Sequence, residues 1–126
     1  MEMIQAYFSG EKLFSNSSEA FSLHERSRFG ERVGGRVEYL LAEALYLIST
    51  GKMEVFSGKK NLNLNDLMTR VKKKDKRIET KLSVFTDLRK KGYIVKTALK
   101  FGADFRVYAR GVKPGEDHAL WVLFVV

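Results

Sequence analysis

Two apolar stretches of helical period constrain this chain most, because each is stopped by a glycine and followed at once by a strand-like run. Residues 37–50 carry Leu40, Leu41, Ala44, Leu45, Leu47 and Ile48, broken mainly by Glu38 and Glu43. A helix apolar nearly all round is buried on most sides. Gly51 suits the left-handed position that ends such a helix, and Lys52 to Phe56 reads as a short strand. Residues 78–91 repeat the arrangement. Ile78, Leu82, Phe85 and Leu88 form one stripe with charged residues on the other side. Gly92 stops that helix, and residues 93–100 read as a strand. Helix and strand alternating in this way predict a mixed α/β (α+β) fold.

The remaining segments are shorter. Residues 3–8 and 12–14 flank Ser9, Gly10 and Glu11 and predict a hairpin. Residues 16–19 are polar and turn-like. Residues 21–36 hold His24, four arginines and three glycines. They read as a solvated ribbon or turn, with an RNA-touching arm as the sharper alternative. Residues 57–61 form a turn. Asn63 or Asn65 caps a helix starting near Asp66, where the dipole favours an anion. That helix runs into the basic stretch Lys72 to Arg77, a solvated helix end or a phosphate contact. The expected organisation is a small N-terminal mixed α/β domain over 1–75 and a C-terminal catalytic domain over 76–126.

The net charge of +8 favours a polyanionic partner. Without cysteine there are no disulfides, thiolate nucleophiles or cysteine-ligated zinc. The two histidines, His24 and His118, are far apart, and no metal-binding spacing occurs. No metal or cofactor is expected. The N-terminus lacks the pattern of a signal peptide, and no run reaches the ~18 apolar residues of a membrane helix. A soluble cytoplasmic protein without a membrane partner is the expectation.

Residues 101–118, FGADFRVYARGVKPGEDH, hold the candidate chemistry. Written as one strand, they alternate between two faces. One face, with Phe101, Ala103, Phe105, Val107 and Ala109, is core. The other, with Gly102, Asp104, Arg106, Tyr108 and Arg110, holds a phenol between two guanidinium groups. A turn over 111–117 then delivers His118 to an apolar run over 119–126. A phenol and an imidazole can thereby face one space.

Cutting RNA without a metal requires a base for the 2′-hydroxyl, an acid for the leaving 5′-oxygen and a cation for the phosphate charge. Each proton-transfer partner contributes about 10²–10⁴-fold, and electrostatic stabilisation as much or more. An imidazole titrates near neutral pH and suits the acid role. A phenol is a poor base at its ordinary pKa of about 10, and cations beside it favour the phenolate.

Three blocks carry a family likeness: LLAEALYLI with GKMEV over 40–55, FTDLRKKGYIVKT over 85–97, and KFGADFRVY over 100–108 with His118 ten residues later. Together they closely resemble archaeal tRNA-splicing endonucleases over roughly residues 37–120. The resemblance implies a metal-independent endonuclease that cuts precursor tRNA at a bulge–helix–bulge motif. It implies products with a 2′,3′-cyclic phosphate and a 5′-hydroxyl. Tyr108 falls where that family has its general base and His118 where it has its general acid, with Arg106 and Arg110 as candidate substrate-binding residues. The family's third catalytic group is a lysine on a later helix, a role for which neither Lys96 nor Lys113 is a candidate. An incomplete nuclease-like domain is therefore expected, either a truncated form or one completed by a homo-oligomer or partner subunit. A non-catalytic subunit or an RNA-binding module of the same kind of complex are the alternatives.

Overall fold

A computed structural model describes residues 3–99, 102–114 and 118–126. The first lobe is built on a mixed sheet. Strands β1 (Ile4–Ser9) and β2 (Lys12–Ser15) form the expected hairpin, turning at Gly10. A ribbon of β3 (Glu31–Val33) and β4 (Arg36–Glu38) joins beside β2. On the other side β5 (Met53–Ser57) runs parallel to β1, and β6 (Lys60–Leu62) closes the sheet. The order is β3-β4-β2-β1-β5-β6.

Three helices belong to this lobe: α1 (Ser18–Ser27), α2 (Leu41–Ser49) and α3 (Leu64–Lys72). The second lobe has α4 (Ile78–Lys90) and an antiparallel sheet of β7 (Ile94–Thr97), β8 (Phe105–Tyr108) and β9 (Trp121–Leu123), in that order. The fold is mixed α/β, as the alternation of periods predicts.

Several boundaries differ from the sequence reading. The segment 18–27 is a helix, not a ribbon. The Ser17 hydroxyl accepts from the Ala20 N–H at 3.3 Å, and Ala20 and Leu23 bury its inner face. Its polar composition hides that short apolar stripe. The helix expected from Val37 starts only at Leu41. Val37 and Glu38 pair with Ser15 and Phe14 as a strand instead, because Val37 is buried in the sheet. Asn63 is the cap of α3, accepting from the Asp66 N–H at 2.8 Å.

The lobes meet through α2 and α4. Phe85 of α4 is fully buried, with ring centres 5.6 Å from Tyr46, 6.5 Å from Phe29 and 6.0 Å from Phe105. Truncating such a ring costs about 3–5 kcal/mol. This aromatic chain fixes β8 against the first lobe.

Polar ties reinforce the joint. The Gly30 N–H donates to Glu43 Oε2 at 2.9 Å, while the Gly30 carbonyl accepts from Lys96 Nζ. Glu43 also reaches back to the Leu40 N–H at 3.1 Å and so satisfies the start of α2. Burial pushes Glu43 up and Lys96 down, each opposed by the other's charge. Arg89 of α4 donates to the carbonyls of Ser27 and Arg28 at 2.8 and 3.0 Å and lies 3.7 Å over the Phe29 ring.

Candidate active site

Strand β8 lies between β7 and β9, with Tyr108 opposite Ile94 and Arg106 opposite Lys96. Alternation sends Arg106 and Tyr108 to one side. The Arg106 side chain folds along that side. Its Nε donates to the Thr97 carbonyl at 2.7 Å and its Nη1 to Tyr108 Oη at 3.0 Å. The guanidinium is thus held at both ends.

Tyr108 is only 3% exposed. The expectation from sequence is a row of charge-bearing groups with the phenol between two guanidinium groups. The phenol is buried, yet its oxygen accepts from the Arg106 guanidinium and so meets a cation. One guanidinium, not two, reaches it among the described residues. β8 ends at Tyr108, and Arg110 follows in a turn with its guanidinium against Gly92. Gly92 holds φ +92°, which favours glycine, and a Cβ there would make the Arg110 guanidinium shift.

Asp104 leaves the row as well. It accepts from the Val125 N–H at 2.7 Å and pairs with Lys81 at 3.3 Å and Arg77 at 3.8 Å. Burial opposes its charge, but the Val125 N–H and Lys81 outweigh that and hold the carboxyl below its usual range. The expected long strand is therefore short. Gly102 takes φ +71° in a turn, and only residues 105–107 pair on both sides, Tyr108 pairing with β7 alone. Phe101 and residues 115–117 of the expected turn lie outside the described residues.

His118 is exposed. The β8–β9 ladder pairs Val107 with Trp121, and the Leu120 N–H extends it by donating to the Val107 carbonyl at 2.7 Å. His118 precedes Leu120 by two residues, a span of at most about 7 Å. Its backbone therefore lies within about that distance of Leu120, which bonds to β8 one residue before Tyr108. Among the other candidates, Lys113 is exposed and Lys96 is committed to the lobe joint.

The model of the tRNA intron endonuclease N-terminal domain matches residues 4–68, and that of the tRNA intron endonuclease catalytic C-terminal domain matches residues 78–126. A tRNA-splicing endonuclease of Thermococcus onnurineus is 43% identical over 126 residues, covering 99% of this chain and 72% of the relative. The chain belongs to the tRNA-splicing endonuclease family. Similar proteins of the same name occur in Pyrococcus furiosus, 39% identical over 98% of this chain and 71% of the relative, and in Nanoarchaeum equitans, 40% identical over 78% and 68%.

The match to the endonuclease catalytic domain includes both Tyr108 and His118. Sequence reasoning missed the polar joint that holds this domain to the first lobe. One signal was available. Glu43 stands inside an otherwise apolar helix, and a buried carboxylate needs partners. Among the described residues no helix is long and apolar enough to cross a membrane.

Proposed function

We propose that the chain cuts precursor tRNA at bulge–helix–bulge sites without a metal, in a homo-oligomer or with a partner subunit. Tyr108 Oη takes the proton of a ribose 2′-hydroxyl. The 2′-oxygen then attacks the adjacent phosphorus, forming the 2′,3′-cyclic phosphate. The P–O5′ bond breaks, and His118 gives a proton to the departing oxygen, leaving a 5′-hydroxyl. Arg106 offers its positive charge to the phosphate as negative charge grows on it, the kind of electrostatic support that dominates such reactions. Arg110 serves as a second, more distant cation.

The observation that carries this reading is the contact between Arg106 and the Tyr108 oxygen at the end of β8, with His118 two residues before the Leu120 that bonds to Val107. Family membership supports the substrate class. The burial of Tyr108 favours a second reading, in which the chain holds the RNA and cuts nothing.

The two are separated by incubating the chain with an intron-bearing precursor tRNA in excess EDTA and weighing the products. Fragments ending in cyclic phosphate and 5′-hydroxyl support cleavage. Tight binding with no fragments selects the second reading. Cutting that requires added magnesium, or that leaves 5′-phosphate, rejects the mechanism.

A further inference from the structure

A second concentration of positive charge extends from Arg110, just beyond β8, to the end of α1. A groove of about 560 Å³ runs between the end of α1, the loop before β5, and the loops on either side of β7 and β8. Six cations line it: Arg26, Arg28, Lys52, Arg89, Arg110 and Lys113. Glu25 is the one carboxylate among its lining residues.

Among the described residues, the groove gathers unpaired cations around one hollow, where single exposed lysines such as Lys59 and Lys73 stand apart from it. Elsewhere Lys12, Arg36, Lys72, Lys74, Arg77, Lys81, Lys91 and Lys96 all have carboxylate partners. Among the described residues, none of the six groove cations is in an ion pair. Six like charges around one hollow repel one another, and the fold holds them there nonetheless. Arg89 forms the floor. Its bonds to the Ser27 and Arg28 carbonyls pin the segment that bears Arg26 and Arg28. Gly92 lets Arg110 lie flat along the opposite wall. Tyr93 adds a half-buried aromatic ring at the edge, in edge contact with Trp121 at 5.2 Å.

We propose that this groove holds the phosphate backbone of the RNA substrate outside the cleavage site. The inference rests on the proposed function for its choice of polyanion, while the groove itself rests on charge and geometry. Phosphates would replace the missing carboxylates, and the walls come from both lobes, so RNA seated there spans their joint. Phosphate contacts fix register and carry no sequence information. The groove therefore positions the substrate, and the bases are read elsewhere.

The test uses the full 126-residue chain and a bulge–helix–bulge RNA with 2′-O-methyl groups at both cleavage points, so that binding is measured without cutting. The groove variant is Arg26→Ala/Lys52→Ala/Lys113→Ala. Arg28 is left in place because it adopts φ +57°, Arg89 because it holds the joint, and Arg110 because it is a candidate at the cleavage site. The control, Lys59→Ala/Lys60→Ala/Lys73→Ala, removes three exposed cations that also lack ion pairs. Net charge falls equally in both.

The groove variant is expected to bind about ten- to a hundred-fold more weakly near 0.1 M salt. The slope of log K against log salt should become shallower by about 2 to 3, as loss of three phosphate contacts requires. The control should keep the parent slope. Equal losses in both variants, no loss in the groove variant, or no binding by the parent chain would overturn the proposal. Cleavage of unmodified RNA, assayed in parallel, separates the two readings. A parent that binds through the groove and never cuts defeats the catalytic reading alone. A groove variant that binds normally while the parent cuts defeats the groove alone.

Discussion

The Arg106 guanidinium donates to the Tyr108 phenol oxygen at 3.0 Å while its Nε is anchored on the Thr97 carbonyl across the strand pair. The two bonds hold a cation beside the phenol oxygen, where the proposed mechanism puts the reacting phosphate. Arg106→Met keeps the aliphatic stem but removes the charge. A single-turnover assay should show cutting slowed about 10²–10³-fold, with the melting temperature little changed. An unchanged rate would mean that Arg106 only packs against the ring.

Gly30 serves two buried charges through its backbone, giving its N–H to Glu43 and its carbonyl to Lys96. Removing one charge of a buried set strands the other, at a cost of about 3–5 kcal/mol. Lys96→Met should lose that much in urea unfolding. The double variant Lys96→Met/Glu43→Gln should recover part of it, because no unpaired charge remains. A double variant showing the simple sum of the two losses would refute the coupling.

Tyr39 is buried, and among the described residues its hydroxyl has no hydrogen-bond partner. Burial pushes its pKa up, with the Glu43 charge adding to the effect. An unsatisfied buried hydroxyl costs about 1–3 kcal/mol. Tyr39→Phe should therefore be neutral or stabilising in thermal unfolding. A drop of more than about 1 kcal/mol would show that the hydroxyl has a stabilising role.

Asp75 and Asp104 share Lys81, at 2.6 and 3.3 Å. Both carboxyls titrate below their usual range. Burial opposes the shift, and hydrogen bonds and Lys81 outweigh it. A folded pKa below the unfolded value of about 3.9 adds stability that is complete above that value. It is lost as pH falls through the folded pKa. The melting temperature should thus drop as pH falls below about 4. Lys81→Met should flatten that drop. Parallel curves for parent and variant would remove Lys81 from the account.

The elements with strong periodicity were legible in the residues. The stripe of Ile78, Leu82, Phe85 and Leu88 gave α4, and Gly51 and Gly92 ended helices with φ +74° and +92°. Asn63 gave the start of α3. Helix α1 was hidden because only Ala20 and Leu23 of its ten residues are buried. The candidate site was legible as a set of residue types but not as a surface. Alternation put Arg106 and Tyr108 on one side of β8. It could not foresee that the strand would stop at Tyr108, that Asp104 would turn to Lys81, or that the phenol would be buried. Those outcomes depend on partners distant in the chain, which local pattern does not encode.

The account stands most directly on the chemistry of one hydroxyl. Tyr108→Phe removes only that oxygen and leaves the buried ring. The decisive measurement is its single-turnover cutting rate in EDTA, beside its affinity for the 2′-O-methylated RNA. The account predicts a rate at least about 10²-fold lower with affinity unchanged. A rate equal to that of the parent chain would contradict it.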